Sequence, residues 1–505
     1  MTITAISGSY SQPIIASRTP WISARLGIVP DRLKGWPPAI DAERLTRYEE
    51  YLALIEARHQ DVFEDLRLKP DQRSKIALAV GLPELLCNVW ADSVWSDPPD
   101  FEFPSVAVAN RWEAIDRAND WTEAGAWESV FAAAAFGHSI VRLFRNEERA
   151  ALGSDVVIEE IDPAIFFPTL KPRSSRDIDY VTLAWEEDRA EPWSEKTDLW
   201  QIREFHRLED GRYVITREER RPRSSAMGGE TEFREVMREQ TDVDFLPFVD
   251  MHAKRWRGRY WGVSELTRAT TLFDEVDNVV SNIAEILEYH GKPTLQVPAS
   301  WIYGGVMAKG ADKAYGVRRP EEADIARYIT YEGMIDQQLA SLDKVVELIM
   351  LTAEVPRTYF GLGDLGQAPS GTSLKLQLQN YVKKAGRWQA AETRRSRELV
   401  SMALRLDGQT VDLSKPIGVT HGSPLPVDDE QEARIEASLY AAGLSARATS
   451  IRKLRRVDDV DEEVALIEDE EKPEPGALPG FGAVPPARGL PGGVVNPNSP
   501  EPPAE

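Results

Sequence analysis

Apolar residues between positions 41 and 68 fall at helical spacing, Leu45, Tyr48, Tyr51, Leu52 and Ile55, and predict a helix there. A second helix is expected over 110–136, from Trp112, Ile115, Trp121, Trp127 and Phe131 into a run of four alanines. From Ser139 the period changes. SIVRLFRNE, DVVIEEIDP, IDYVTLAWEED and LWQIREFHRLEDGRYVITREE alternate or run apolar, with turn residues between them. They predict several short strands in an antiparallel or mixed sheet beside helices. Within them Asp210-Gly211 suits a primed hairpin turn.

Gly262 to His290 reads differently again. Ser264 is a candidate cap and Glu265 sits in the first turn. Leu266, Ala269, Phe273, Val276, Val280, Ile283 and Leu287 then step by threes and fours, which predicts a narrow packing seam. At 1.5 Å per residue the rod is roughly 40 Å long, and Gly291 and Pro293 end it. A second rod starts near Gly333, repeats the alternation through Ile335, Leu339, Leu342, Val346 and Ile349, and stops at Pro356. Arg268, Asp274, Glu275 and Asp277 on one rod, and Asp336, Asp343, Lys344 and Glu347 on the other, read as a mixed-charge outer surface. Between the rods lies a short insertion with strand-like pieces and a basic, glycine-containing middle.

Residues 374–406 lack proline and are rich in Gln, Lys, Arg, Ala and Leu, a composition that favours a long helix. A pair of short helices follows, with Gly443 as a C-cap. From Lys472 onward Pro, Gly, Ala and Glu dominate, and a disordered tail is expected.

The stretch YFGLGDLGQAPSGTSLK, before the long helix, spells G-x-G-x-x-G at Gly361, Gly363 and Gly366. A dinucleotide turn needs a preceding strand and a βαβ setting. Here the preceding element is the second rod, and the acid at the ribose distance, Glu392, falls inside the next helix. A P-loop needs Gly-Lys-Ser/Thr, and Lys375 comes too late for it. The better-supported reading is a mobile loop between two helices, capped by Ser370, Thr372 or Ser373.

Charge and composition narrow the function further. The formal net charge is -23, which argues against nonspecific nucleic-acid affinity over the whole surface. The single cysteine, Cys87, lies in an apolar run, excludes an internal disulfide and fits a reducing compartment. No signal peptide is recognisable, and no stretch approaches the ~20 apolar residues that span a bilayer. The six histidines have no metal-like spacing, His138 reads as structural, and no G-x-S-x-G elbow or apolar carboxylate pair is present. No catalytic residue, metal or cofactor is expected.

The order of these pieces resembles the portal proteins of tailed double-stranded DNA phages. The likeness is carried by GVSEL opening a helix with DEVDNVVSNIAEI, then GKPTLQV, then GLGDLGQAPSGTSLKLQLQNYVKKAGRWQ. AAAAFGHSIVRL with IEEIDPAIFFP, and SPLPVDDEQEARIEASLYAAGLSARAT, add to it, and the resemblance runs from about Asp41 to Glu471.

It implies an α+β portal fold in a ring of twelve copies at one capsid vertex, with DNA passing along the axis. The segments would be an N-terminal arm (1–40), a wing (41–262), a first stem helix (263–292), a clip (293–333), a second stem helix (334–356), a tunnel loop (357–373), a long wing helix (374–410), a crown (411–471) and a disordered tail (472–505). The stem would pack through the seam residues above.

Tyr359, Gly361, Leu362, Gly363, Asp364, Leu365, Gly366 and Gln367 would face double-stranded DNA in the channel without reading its sequence. Lys375, Lys383 and Lys384 would offset the Asp364 charge or pair with neighbouring subunits. Trp301, Tyr303, Tyr315, Lys309, Lys313, Arg318 and Arg319 would contact the terminase large subunit and later a head-tail adaptor, although the aromatics equally suit a small core of the clip itself. The major capsid protein and a scaffold are further implied partners. The implied location is the virion, with host cytoplasm during assembly and no membrane. Two alternatives stay open at this point: a nucleotide-dependent enzyme using the glycine loop, and a monomeric adaptor binding through its acidic tail.

Overall fold

The structure is a computed structural model that describes residues 39–59, 78–95, 98–190, 197–220, 232–255, 258–291, 294–298, 314–317, 327–329, 335–357, 378–409, 417–424, 429–454 and 460–470. The chain forms two compact units, Met1–Leu425 and Pro426–Glu505. It mixes helices with mainly antiparallel sheets, an α+β architecture.

The first unit opens with α1 (Ala39–Ile55), which buries Leu45, Tyr48, Tyr51 and Leu54. The expected helix to residue 68 ends earlier. Ala57 takes a left-handed φ of 55°, and the Arg58 and Ala57 amides turn back to the Ala53 and Leu54 carbonyls. That is the hydrogen-bond pattern of a Schellman stop. Arg44 staples α1 down: it donates to Asp41 at 2.9 Å and to the Pro163 carbonyl at 2.7 Å, and stacks 3.8 Å from the Trp261 ring centre. Next, α2 (Leu82–Trp95) is buried nearly all round, with Cys87 and Trp90 at 0% exposure. Cys87 is a free core thiol whose pKa burial pushes well up.

A short strand β1 (Asp100–Glu102) precedes α3 (Val106–Asn119) and α4 (Ala126–Phe136). The sequence predicts a single helix here, but Asp120 is left-handed at φ 49° and one wide turn, Trp121–Gly125, separates the two. The Asp116 side chain accepts from the Thr122 amide at 2.8 Å, so the break carries its own cap. Trp121 is thereby turned inward and buried.

Strand β2 (His138–Arg145) runs between β3 (Val156–Ile161) and β9 (Phe248–His252), antiparallel to both. Its first six residues are buried, as befits a central strand covered on both faces. A second sheet is an antiparallel meander of β4 (Phe166–Leu170), β5 (Ile178–Ala190), β6 (Thr197–Glu209), β7 (Arg212–Arg220) and β8 (Arg234–Gln240). The β6–β7 turn uses Asp210 and Gly211 at φ 49° and 76°, both positive as a type I′ turn requires.

A 3-10 turn, Glu265–Arg268, leads into α5 (Thr270–Gly291). A three-stranded sheet follows, in which β10 (Thr294–Pro298) lies between β11 (Ala314–Val317), parallel, and β12 (Arg327–Ile329), antiparallel. The chain returns through α6 (Ile335–Ala353), and α7 (Gln379–Leu406) then crosses the first unit. Strand β13 (Gly418–Thr420) pairs with β1. One continuous core joins α1–α4, the β2 sheet, the roots of α5 and α6, and α7. The second unit holds α8 (Asp429–Ala441), α9 (Arg447–Leu454) and α10 (Val460–Glu470), with Gly443 left-handed after α8.

Candidate functional site at the root of the helical hairpin

Helices α5 and α6 pack against each other. Their seam is dry at the root and open at the far end. Leu266, Phe273 and Val276 are at most 1% exposed, and Ile349 is buried opposite. Val280, Ile283, Ile335, Leu342 and Val346 are half-buried, while Leu287 and Leu339 are 53% and 46% exposed. Each fully buried side chain of this size contributes about 1.5–3 kcal/mol, so the root carries most of the pair's cohesion.

The contact face of α5 is also wider than a seam. Asp274, Asp277, Val279 and Ser281 are buried too, so two residues expected on the outer surface are inside. For Asp277 and Ser281 the reason is a third element. Residues 78–80 run along α5, with the Leu78 amide donating to Ser281 Oγ at 3.0 Å and the Val80 amide to Asp277 Oδ1 at 2.9 Å. His59 bonds the other Asp277 oxygen through Nδ1, and its Nε2 meets the Leu54 carbonyl at 2.8 Å. A carboxylate and a carbonyl both accept, an arrangement that favours the doubly protonated ring. Burial opposes that charge, but the Asp277 hydrogen bond and charge outweigh it and raise the His59 pKa. Asp274 accepts from Asn278 at 3.2 Å.

The other side of the root is held by Ser264, Glu265, Thr267 and Lys384. Ser264 Oγ accepts from the Leu266 amide at 3.0 Å and donates to the Ala135 carbonyl at 2.6 Å, so it caps the turn and ties it to α4. Tyr51 and Thr267 share a 2.8 Å hydroxyl contact. Lys384 Nζ donates to Glu265 Oε2 at 2.6 Å and to the Ala353 carbonyl at 2.8 Å, and lies 4.1 Å from the Trp90 ring centre. Burial lowers the Lys384 pKa against the opposing pull of Glu265. Lys384 is therefore spent inside its own subunit, whereas Lys383 is exposed.

Below the root, α7 carries a buried ion pair. Arg395 Nε lies 2.8 Å from Glu392 Oε2, both at most 1% exposed, and Arg395 also reaches the Ser129 and Ser139 hydroxyls. His138 is buried, bonded to Tyr48 Oη at 3.1 Å. Among the described residues no group of three or more His, Cys, Asp or Glu side chains is placed to hold a metal, and no helix is long and apolar enough to cross a membrane. The root joins the start of α5 and the end of α6 to the α+β body.

Tyr359, Gly361, Leu362, Gly363, Asp364, Leu365, Gly366, Gln367 and Lys375 lie outside the described residues, as do Trp301, Tyr303, Lys309, Lys313, Arg318 and Arg319. Tyr315 lies on β11, in register with Gln296. The partners His59–Asp277 and Lys384–Glu265 are 218 and 119 residues apart, and no local spacing announces either pair.

The chain matches the family model described as phage portal protein, SPP1 Gp6-like, over residues 36–475. A comparison with curated proteins returned no match. Among solved structures it is similar to a chain of the virion of a native gene transfer agent particle, at 11% identity and a TM-score of 0.40, covering 74% of this chain and 89% of that one. A chain in the neck of the empty particle, computed with C6 symmetry, gives 11% and 0.42, covering 74% and 90%. One in the neck of the native particle, computed with C12 symmetry, gives 12% and 0.37, covering 74% and 89%. The family match spans most of the chain, and the chain belongs to the phage portal protein family, SPP1 Gp6-like.

Proposed function

We propose that the chain forms a closed ring, of twelve copies, at one vertex of a capsid, and that double-stranded DNA enters and leaves through its axis. The observation that carries this reading is the family match over residues 36–475. Head-to-tail contacts that close by rotation need two different faces on each subunit. The exposed far end of the α5–α6 seam, at Leu287 and Leu339, and the exposed Leu348 and Leu351 on α6 supply apolar surface for such contacts. The role is structural: the ring is a conduit and a docking platform.

In this reading residues 263–292 and 334–356 are the stem, 293–333 the clip, 357–373 the tunnel loop, 374–410 the long wing helix and 411–471 the crown, carried on the wing of 41–262. The clip docks the terminase large subunit during packaging and a head-tail adaptor afterwards, and the outer body meets the major capsid protein and a scaffold. The ring assembles in the host cytoplasm and ends in the virion.

Replacing Lys309, Lys313, Arg318 and Arg319 together with Ala tests the docking surface: motor affinity should fall while rings persist. Unchanged affinity would move docking elsewhere. Gly363→Pro with Gly366→Pro tests the loop, and should leave rings intact while lowering DNA packaging or retention. Loss of a measurable nucleotide affinity in that variant would instead support the enzyme reading.

A further inference from the structure

The end of α6 is unusual. The Val355 amide turns back to the Met350 carbonyl at 2.9 Å and the Glu354 amide to Leu351 at 3.3 Å, a Schellman pattern. The left-handed position in that motif belongs to glycine, yet here it is Glu354, at φ 62°. A side chain in that conformation costs roughly 1–2 kcal/mol, so something must hold it.

The carbonyl at that helix end, on Ala353, accepts from Lys384, a cation where the helix dipole favours one. The same ammonium bonds Glu265, before α5, and sits against Trp90 of α2. Lys384 itself lies in the second turn of α7. Arg387, one turn on, pairs with Glu354 at 3.4 Å. One buried group thus joins the last residue of α6, the second turn of α7, the turn that starts the hairpin and the body.

We propose that Lys384 is a positioning residue that sets the spacing and direction of the two chain ends, Arg357 and Leu378, between which the channel segment runs. The assignment of that segment to the channel rests on the portal reading; the tether does not. A simple buried ion pair can be replaced on both sides by neutral groups of similar shape with little loss. A positioning residue cannot, because the Ala353 carbonyl would still lose its donor.

The test therefore uses the full-length assembled protein carrying Lys384→Met with Glu265→Gln, a pair that leaves no charge buried alone, beside Lys384→Met by itself. Hydrogen exchange is followed in the peptides that contain Val355 and Val382, whose amides bond Met350 and Leu378. Loss of a charged-group hydrogen bond corresponds to about a tenfold or greater acceleration. That acceleration should appear in both peptides of the double variant, with the β6–β7 hairpin unchanged. No acceleration, or equal acceleration throughout the chain, would overturn the proposal. DNA retention is measured in parallel and should fall. Retention equal to wild type, together with acceleration at the two ends, would keep the tether and overturn the channel assignment.

Discussion

The carbonyl oxygen of Gly137 lies 1.9 Å from where a Cβ on Gly262 would stand. That oxygen also accepts from the Ala253 amide at 3.0 Å, so it cannot turn aside without breaking the end of β9 from the end of α4. Gly137 is itself left-handed, at φ 91°, and caps α4. The crossing sets the position of Ser264 and hence the start of the hairpin.

Gly262→Ala should consequently be among the most damaging single changes, costing more than about 4 kcal/mol, the range reached only by core or backbone lesions. Soluble yield and thermal midpoint check it. A variant within a few degrees of wild type would mean that the crossing relaxes.

The His59–Asp277 pair predicts a pH dependence. The folded His59 pKa is raised. The pair's contribution is then complete below the ordinary histidine value of about 6.5 and is lost as pH rises through the raised value. Urea midpoints of wild type should fall further between pH 6 and pH 9 than those of His59→Gln. Parallel curves would contradict the charged assignment.

Glu160 has the opposite consequence for a substitution. Burial raises its pKa to about 7, with Arg395 opposing and Glu128 and Asp162 adding to the rise. Below the ordinary glutamate range both states are protonated and nothing is lost. As pH rises from the ordinary glutamate value towards about 7 the unfolded state ionises while the folded state keeps its proton, so stability is lost across that window and the loss is complete above it. Glu160→Gln should stabilise the protein at pH 8 by up to about 3 kcal/mol and leave it unchanged at pH 4. Equal effects at both pH values would show that the gain has another origin.

The seam predicts graded damage. Val276 is 1% exposed and Val346 is half-buried beside an apolar notch lined by Leu82, Leu86, Ile349, Met350 and Val355. A carboxylate at either position has no partner built for it. Val276→Asp should prevent folding of the root, whereas Val346→Asp should lower stability by a few kcal/mol and disturb assembly. Calorimetry on both variants distinguishes the two outcomes, and equal effects would mean that the burial gradient is misjudged.

The elements legible in the sequence were those whose cause is local. Asp210-Gly211 announces the β6–β7 turn because both positions need positive φ. The composition of residues 374–406 announces α7, and the three-four spacing announces α5 and α6. What was hidden depends on distant partners. Asp277 looks like a solvent residue until residues 78–80 and His59 are brought beside it. Lys384 looks like one more exposed cation of a polar helix, and only folding sets it between Glu265 and Ala353. Ala57 ends a helix in a left-handed conformation that alanine does not advertise, and Asp120, of a type that tolerates it, lies inside a continuous run of helical spacing that hides the break.

The central claim is that this chain closes into a ring around a channel. Single-particle imaging of the purified full-length protein, alone and with its capsid partners, tests it most directly. The account predicts closed rings with an open axis and with α5 and α6 of each copy packed on those of its neighbours. A chain that remains monomeric under every assembly condition, or rings in which the α5–α6 hairpins touch no neighbour, would contradict it.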